Sequence, residues 1–294
     1  MLKLDYQAPE TVDAAVALLQ KAGSGARVLA GGTDMLVQMR EDIVRPSLLV
    51  DIKKIAETRE IEIGAEYVTV GAAVTGAELG EHAELKAMWP GVVEAVNLIG
   101  SDQIQGRATI GGNLCNASPA ADSVPALVAA GAKIAIAGPK GRREIAAEAF
   151  PKGPGRTVLE AGEFVTAIVL PRPATGSADA YLRFIPRTEM DIAVVGAGVA
   201  LTLDKAGTCT AARLSLGAVA PTVVLVEAAA KALIGTKLED DALAAFAAAA
   251  SAACRPIDDK RGTVEFRVHV AGVLARRAAL IAAERARASK RGRK

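Results

Sequence analysis

Apolar residues along this chain recur with two periods, and the switches between them mark out its elements. Val12, Ala15, Val16 and Leu19 fall at helical spacing; Glu10 or Thr11 opens that helix, and Gly23 and Gly25 end it. Residues 27–30 read as a short strand, 35–39 as one or two helical turns capped by Thr33 or Asp34, and 48–52 as a second strand, giving a β-α-β pattern. Residues 61–63 and 67–70 flank Gly64-Ala65-Glu66 as a β-hairpin. Helices are expected at about 75–83 and 90–99, then an apolar helix over 124–130 stopped by Gly131. Strands follow at 133–137, 142–145 and 163–170, with a surface loop at 151–156. The clearest linker is 171–177. Beyond it, strands around 180–186, 192–203 and 211–219 precede alanine-rich helices at about 222–234, 239–253 and 263–288. Strands followed by helices predict an α+β unit, with helices on one face of an antiparallel sheet.

Composition narrows the function more than it names it. The 294 residues include 35 Lys+Arg and 33 Asp+Glu, a formal net charge of +2, so no global field recruits nucleic acid or an anionic membrane. Aromatics make up only 3%, which leaves little stacking surface for a single-strand binder. The length suits two or three domains, and half the residues are apolar. No stretch reads as a membrane span, and the N-terminus has no basic region leading into an apolar run, so a cytoplasmic protein is expected. Cys115, Cys209 and Cys254 are too scattered for a disulfide framework or an iron–sulfur motif. His82 and His269 are isolated, so neither a metal site nor a catalytic triad assembles locally. The basic run from Arg285 to Lys294 reads as a solvated terminus.

Two segments stand out against this background: Ala30-Gly31-Gly32-Thr33-Asp34 and Thr109-Ile110-Gly111-Gly112-Asn113. Paired glycines open both signs of φ and let backbone N–H groups converge on one anion. Two turns of matching chemistry, far apart in the chain, suit a dinucleotide gripped at its pyrophosphate from both sides. Thr33 and Thr109 offer hydroxyls to phosphate or caps to helices. A pyrophosphate would repel Asp34, so its expected job is a helix cap or a bond to nearby backbone N–H groups. Asn113, with a donor, an acceptor and no charge, serves phosphate or a flavin edge. Asp122 either accepts from ribose or ribityl hydroxyls or caps the helix from Val124. The pattern is not a Rossmann unit: neither turn holds Gly-x-Gly-x-x-Gly, and Gly196-Ala197-Gly198 lies in a strand-like run where packing is its reading. Arg183, Arg187, Glu189 and Asp191 form a polar group that either salt-bridges a domain interface or brings a cation to the pocket.

These segments, together with 103–113, 117–122, 213–221, 258–262 and Phe266-Arg267, resemble the FAD-binding (medium) subunit of molybdenum hydroxylases. That family includes carbon monoxide dehydrogenase and bacterial xanthine dehydrogenase, and the likeness runs over nearly the whole length. It implies an FAD-binding fold of the vanillyl-alcohol oxidase (PCMH) type in two subdomains, 1–54 and 55–176, then a C-terminal α+β flavoprotein domain, 177–294. It also implies that backbone N–H groups of 30–34 and 109–113 hold the FAD pyrophosphate. Val28, Leu29, Ile99, Asp122, Ile168 and Arg183 would belong to the same pocket. Gln105-Gly106 departs from the arginine and asparagine frequent in relatives. No catalytic residue and no metal ligand is expected on this chain. The partners implied are a small iron–sulfur subunit and a large molybdenum-cofactor subunit in a dimer of heterotrimers. Electrons would pass through FAD to NAD⁺, a quinone or oxygen. Two other readings stay open: a stand-alone flavin oxidase or reductase of the same fold, and a non-catalytic nucleotide-binding module.

Overall fold

The computed structural model describes residues 4–188 and 190–291. Its first unit is a three-stranded parallel sheet of β1 (Asp5–Gln7), β2 (Ala26–Leu29) and β3 (Leu48–Asp51), in the order β1-β3-β2. Helix α1 (Val12–Ala22) covers it with Val12, Ala15, Val16 and Leu19, the residues its period selects. Thr11 caps it by accepting from the Ala14 N–H at 3.2 Å, an interaction worth ~1 kcal/mol. Gly23, at φ +56°, ends it in a conformation that suits glycine. Helix α2 (Met35–Arg40) follows the first glycine turn.

The second unit is an antiparallel sheet in the order β4-β5-β10-β6-β7, built from β4 (Ile61–Ile63), β5 (Tyr67–Gly71), β6 (Lys133–Gly138), β7 (Gly141–Ala146) and β10 (Phe164–Pro171). Between β5 and β6 run α3 (Gly76–Glu81), α4 (Ala83–Met88), α5 (Pro90–Asn97), α6 (Asp102–Gln105), α7 (Ile110–Cys115) and α8 (Ser123–Ala129). The segment expected as a surface loop at 151–156 instead forms a small antiparallel pair, β8 (Pro151–Gly153) with β9 (Arg156–Thr157). Helix α4 is absent from the sequence reading; it starts because the His82 ring nitrogen Nδ1 accepts from the Leu85 N–H at 3.2 Å. The second glycine turn, expected as a loop, is the first turn of α7.

The last unit is an antiparallel sheet of β11 (Ser177–Phe184), β12 (Val195–Leu203), β13 (Cys209–Gly217) and β14 (Val224–Leu225). Helices α9 (Glu227–Leu233), α10 (Asp240–Ala252) and α11 (Val264–Arg291) cluster with it, so the expected α+β class is what the chain adopts. The sheet also packs on α5 and α8. Gly198 permits this closeness: a Cβ there would lie 2.5 Å from the Pro125 carbonyl oxygen, while one on Gly196 would lie 2.6 Å from the Tyr181 hydroxyl of the neighbouring strand. Packing is indeed their role.

Strand β11 alternates its polar side chains toward the second unit. Both carboxylate oxygens of Asp179 accept backbone N–H groups at the start of α5, Gly91 at 3.0 Å and Val92 at 2.9 Å. Arg285 of α11 donates to the Asp179 carbonyl at 2.9 Å and pairs with Glu94 of α5. Burial pushes the Asp179 carboxyl up to about 7, against the pull of those two N–H groups. Two and four residues further on, Tyr181 and Arg183 both reach Asp122. Of the polar group after the linker, Arg187 pairs with Asp191, which also meets Arg261. Glu189 lies outside the described residues, as do 1–3 and the last three residues of the basic terminus.

Candidate functional site

The first glycine turn leaves β2 and enters α2. Gly32 sits at φ +83°, in the left-handed region that glycine tolerates. Gly31 has a different reason to be glycine: a Cβ there would lie 2.9 Å from the Arg107 carbonyl carbon and closer still to its oxygen. The missing side chain therefore lets the first turn lie directly against the run leading into the second. The Ala30 carbonyl is fixed by Lys53 Nζ at 2.8 Å, and Lys53 is in turn paired with the buried Asp51 at 2.7 Å. Burial alone would raise the Asp51 carboxyl, but Lys53 and Tyr6 outweigh it and hold it below the usual range. The backbone N–H groups of Gly31, Gly32, Thr33 and Asp34 make no hydrogen bond among the described residues. Four successive donors are thus left to the cleft.

The second turn is built differently. Ile110 N–H goes to Val74 and Gly111 N–H to Ala72, while Gly112 N–H and Asn113 N–H go to the Thr109 hydroxyl and carbonyl. Thr109 is therefore an N-cap, and the glycines serve packing: a Cβ on Gly111 would lie 2.5 Å from the Ala72 carbonyl oxygen. None of Gly31, Gly111 and Gly112 has a positive φ, so conformational strain is an argument for Gly32 alone. The symmetric backbone grip implied by the resemblance is not what these N–H groups offer. What this turn presents instead is the Asn113 side chain. Its Oδ1 accepts from Ser123 N–H at 3.2 Å and Ser123 Oγ at 2.7 Å, and its Nδ2 has no acceptor among the described residues.

The two turns wall a cleft of about 590 Å³, within the range of cofactor sites. Of the residues selected from sequence, Val28, Ala30, Gly31, Gly32, Thr33, Asp34, Ile99, Thr109, Gly111, Gly112 and Asn113 line it. Leu29, Ile110 and Ile168 are buried behind the wall. Asp122 and Arg183 stand off the lining and pair with each other at 2.9 Å. Burial pushes the Asp122 carboxyl up to about 6, with Arg183 and Tyr181 pulling it down. Asp34 occupies the N-cap position of α2 but makes no side-chain cap; the cleft wall around it raises its carboxyl.

Other lining residues give no local signal in the sequence. Leu159 to Val165 close one side, with Glu163 neutralised by Arg143 at 2.7 Å. Gln38 of α2 donates to Asn116 at 3.1 Å and so ties the two turns together. Cys115 also lines the cleft, where its side chain is exposed.

Among the described residues Arg27 is the lone lysine or arginine of this lining, and its guanidinium is engaged by the Ser24 and Ala26 carbonyls. An anion here would be met by backbone donors and not by a cation cluster. That donor set, beside apolar Val28, Ile99, Phe164 and Val165, fits a dinucleotide with a pyrophosphate and flat rings. Among the described residues no group of three or more His, Cys, Asp or Glu could hold a metal ion, and no helix is long and apolar enough to cross a membrane.

Residues 2–173 match the family described as the FAD binding domain in molybdopterin dehydrogenase, and residues 180–282 the CO dehydrogenase flavoprotein C-terminal domain. The carbon monoxide dehydrogenase medium chain of Afipia carboxidovorans is 38% identical over 96% of this chain and 98% of its own. The nicotinate dehydrogenase FAD-subunit of Eubacterium barkeri is 31% identical over 81% of this chain and 82% of its own. The crystal structure of cyanide-inactivated Cu,Mo-CO dehydrogenase contains a chain that superposes with a TM-score of 0.92, at 38% identity, over 96% of this chain and 98% of that one.

Proposed function

The chain belongs to the family of FAD-binding subunits of molybdenum-containing dehydrogenases, and we propose that within such an enzyme it relays electrons between partner iron–sulfur clusters and an external acceptor. Its cofactor is FAD. Bound FAD supplies the redox chemistry, accepting electrons singly and releasing them in pairs; the protein supplies binding, orientation and electrostatics. The single observation that carries the reading is the row of four N–H groups, Gly31 to Asp34, unengaged among the described residues and lining a cleft whose one described lysine or arginine is already bonded. Those donors would hold the pyrophosphate without a counter-charge. Lys53, bonded to the Ala30 carbonyl, keeps them aimed. Val28, Ile99, Phe164 and Val165 would exclude water from the flat rings, with Thr109 and Asn113 opposite.

The partners of this reading are a small iron–sulfur subunit and a large molybdenum-cofactor subunit, assembled as a dimer of heterotrimers in the cytoplasm. The acceptor is NAD⁺, a quinone or oxygen. Domain limits of 1–54, 55–176 and 177–294 belong to the same reading. The test is reconstitution. The isolated chain should bind FAD yet fail to oxidise carbon monoxide, purines, aldehydes or N-heterocycles, and adding both partners should start electron flow to a dye. Oxidation by this chain alone, at the rate of a complete enzyme, would instead make it a stand-alone flavin oxidase or reductase.

A further inference from the structure

We infer that Ser123 is a positioning residue that fixes the polarity of the Asn113 amide, so that Nδ2 is presented as a donor to an acceptor atom of bound FAD. The inference rests on the reading that FAD occupies the cleft between the two glycine turns. An asparagine amide can normally turn over, exchanging a donor end for an acceptor end of nearly the same shape. Here one of its two partners cannot be reversed. The Ser123 backbone N–H is a donor only, so the atom facing it at 3.2 Å has to be the carbonyl oxygen. The Ser123 hydroxyl, fully buried with its residue, adds a second donor to the same oxygen at 2.7 Å. With Oδ1 held toward α8, both N–H bonds of Nδ2 are left without an acceptor among the described residues, on a side chain that lines the cleft.

The anchor is itself anchored. Ser123 is the first residue of α8, and Asp122, in the N-cap position, makes no cap to its own helix. Its two oxygens are held by Arg183 at 2.9 Å and Tyr181 at 3.3 Å, both on β11. The C-terminal sheet thus fixes the peptide that fixes Asn113. This matters because the N–H groups of Ile110 to Asn113 are all engaged internally, leaving the Asn113 amide, with the Thr109 hydroxyl, as the donors the second turn offers.

The test uses the full chain loaded with FAD, reading FAD affinity by fluorescence titration and the visible spectrum and potential of the bound flavin. Ser123→Ala should weaken FAD roughly three- to tenfold, the size of one hydrogen bond, and Ser123→Thr should restore it. In an Asn113→Ala background, Ser123→Ala should have no further effect. Asn113→Asp keeps both bonds from Ser123 but turns the donor end into an acceptor; it should weaken FAD more than Asn113→Ala does, and recover as the carboxyl is protonated on lowering the pH. A shifted spectrum or potential would place the acceptor on the isoalloxazine, and weaker binding with both unchanged would place it on the phosphates or ribityl chain. Additive effects of Ser123→Ala and Asn113→Ala would overturn the inference, as would wild-type binding by Asn113→Asp across pH. If Ser123→Ala does not fold, Asn113→Asp and its pH profile decide alone. A Gly32→Val variant that still binds FAD normally would show that the cleft assignment, and not the role of Ser123, is at fault.

Discussion

Replacing Gly31 with alanine should damage this protein far more than the same change at Gly106, which lies just ahead of the second glycine turn. At Gly31 the new Cβ would meet the Arg107 carbonyl carbon at 2.9 Å and the Ala108 Cα at 3.2 Å. Carbon–carbon contacts prefer about 3.5–4.0 Å, so the facing backbone must retreat by about 1 Å. Both neighbours are main chain, which cannot swing aside as a flexible side chain would. Overpacking of this kind costs about 1–3 kcal/mol, and here the moving segment leads into Thr109, the cap of α7. The four free donors of the first turn shift against the second turn, so FAD affinity should drop by roughly tenfold or more, the equivalent of about 1.4 kcal/mol. Gly106 has open space where its Cβ would point and sits in the right-handed region at φ −67°. Alanine there should be neutral or stabilise by about 0.4–1 kcal/mol through the unfolded state. Urea melts of the FAD-free chains give the stability difference, and fluorescence titration gives the affinity. Equal behaviour of Gly31→Ala and Gly106→Ala in both assays would refute the claim that close backbone approach is why residue 31 is glycine.

Three further outcomes follow from the same geometry. FAD should be held without a covalent bond: residues 26–40 contain no His or Cys, so acid precipitation should leave all yellow colour in the supernatant, and colour in the pellet would count against this. Arg183→Met should cost about 3–5 kcal/mol by stranding the buried Asp122 carboxylate, less at pH 5 than at pH 8, and Asp122→Asn should recover part of it; urea melts showing additive losses would show that the pair does not act as a unit. The folded-state values of Asp122 and Asp179, about 6 and about 7, lie above the ordinary aspartate value, so between pH 5 and 7 the folded chain binds more protons than the unfolded one. Stability of the FAD-free chain should therefore fall as pH rises through that window, on the order of 2–4 kcal/mol, with Asp179→Asn removing the larger part; a rise with pH, unchanged by that substitution, would contradict the assignment.

The glycine turns are legible in the sequence because their signal is local: small residues, a hydroxyl and a polar neighbour in a run of five. The use each turn makes of its N–H groups is not local. Ile110 and Gly111 find their acceptors at Val74 and Ala72, far back in the chain, and nothing near residue 110 announces those partners. Helix α7 is hidden for a related reason, since two adjacent glycines each cost about 1 kcal/mol relative to alanine in a helix and argue for a loop. Tertiary bonds to the β5 end override that preference. Helix α4 is hidden because it begins at His82, a residue seldom read as a cap. The Asp51–Lys53 clamp on Ala30 and the wall from Leu159 to Val165 likewise come from strand ends that only the folded sheets bring to the cleft. Asp122 shows where local reading stops. Its place before Val124 suggests a helix cap, and it does stand in that position, yet its carboxylate is drawn to Tyr181 and Arg183, 59 and 61 residues away. A buried carboxylate loses more from lacking a charged partner than a helix loses from lacking one cap. The stronger requirement decides where the side chain points, and by doing so it links the C-terminal sheet to the turn that carries Asn113.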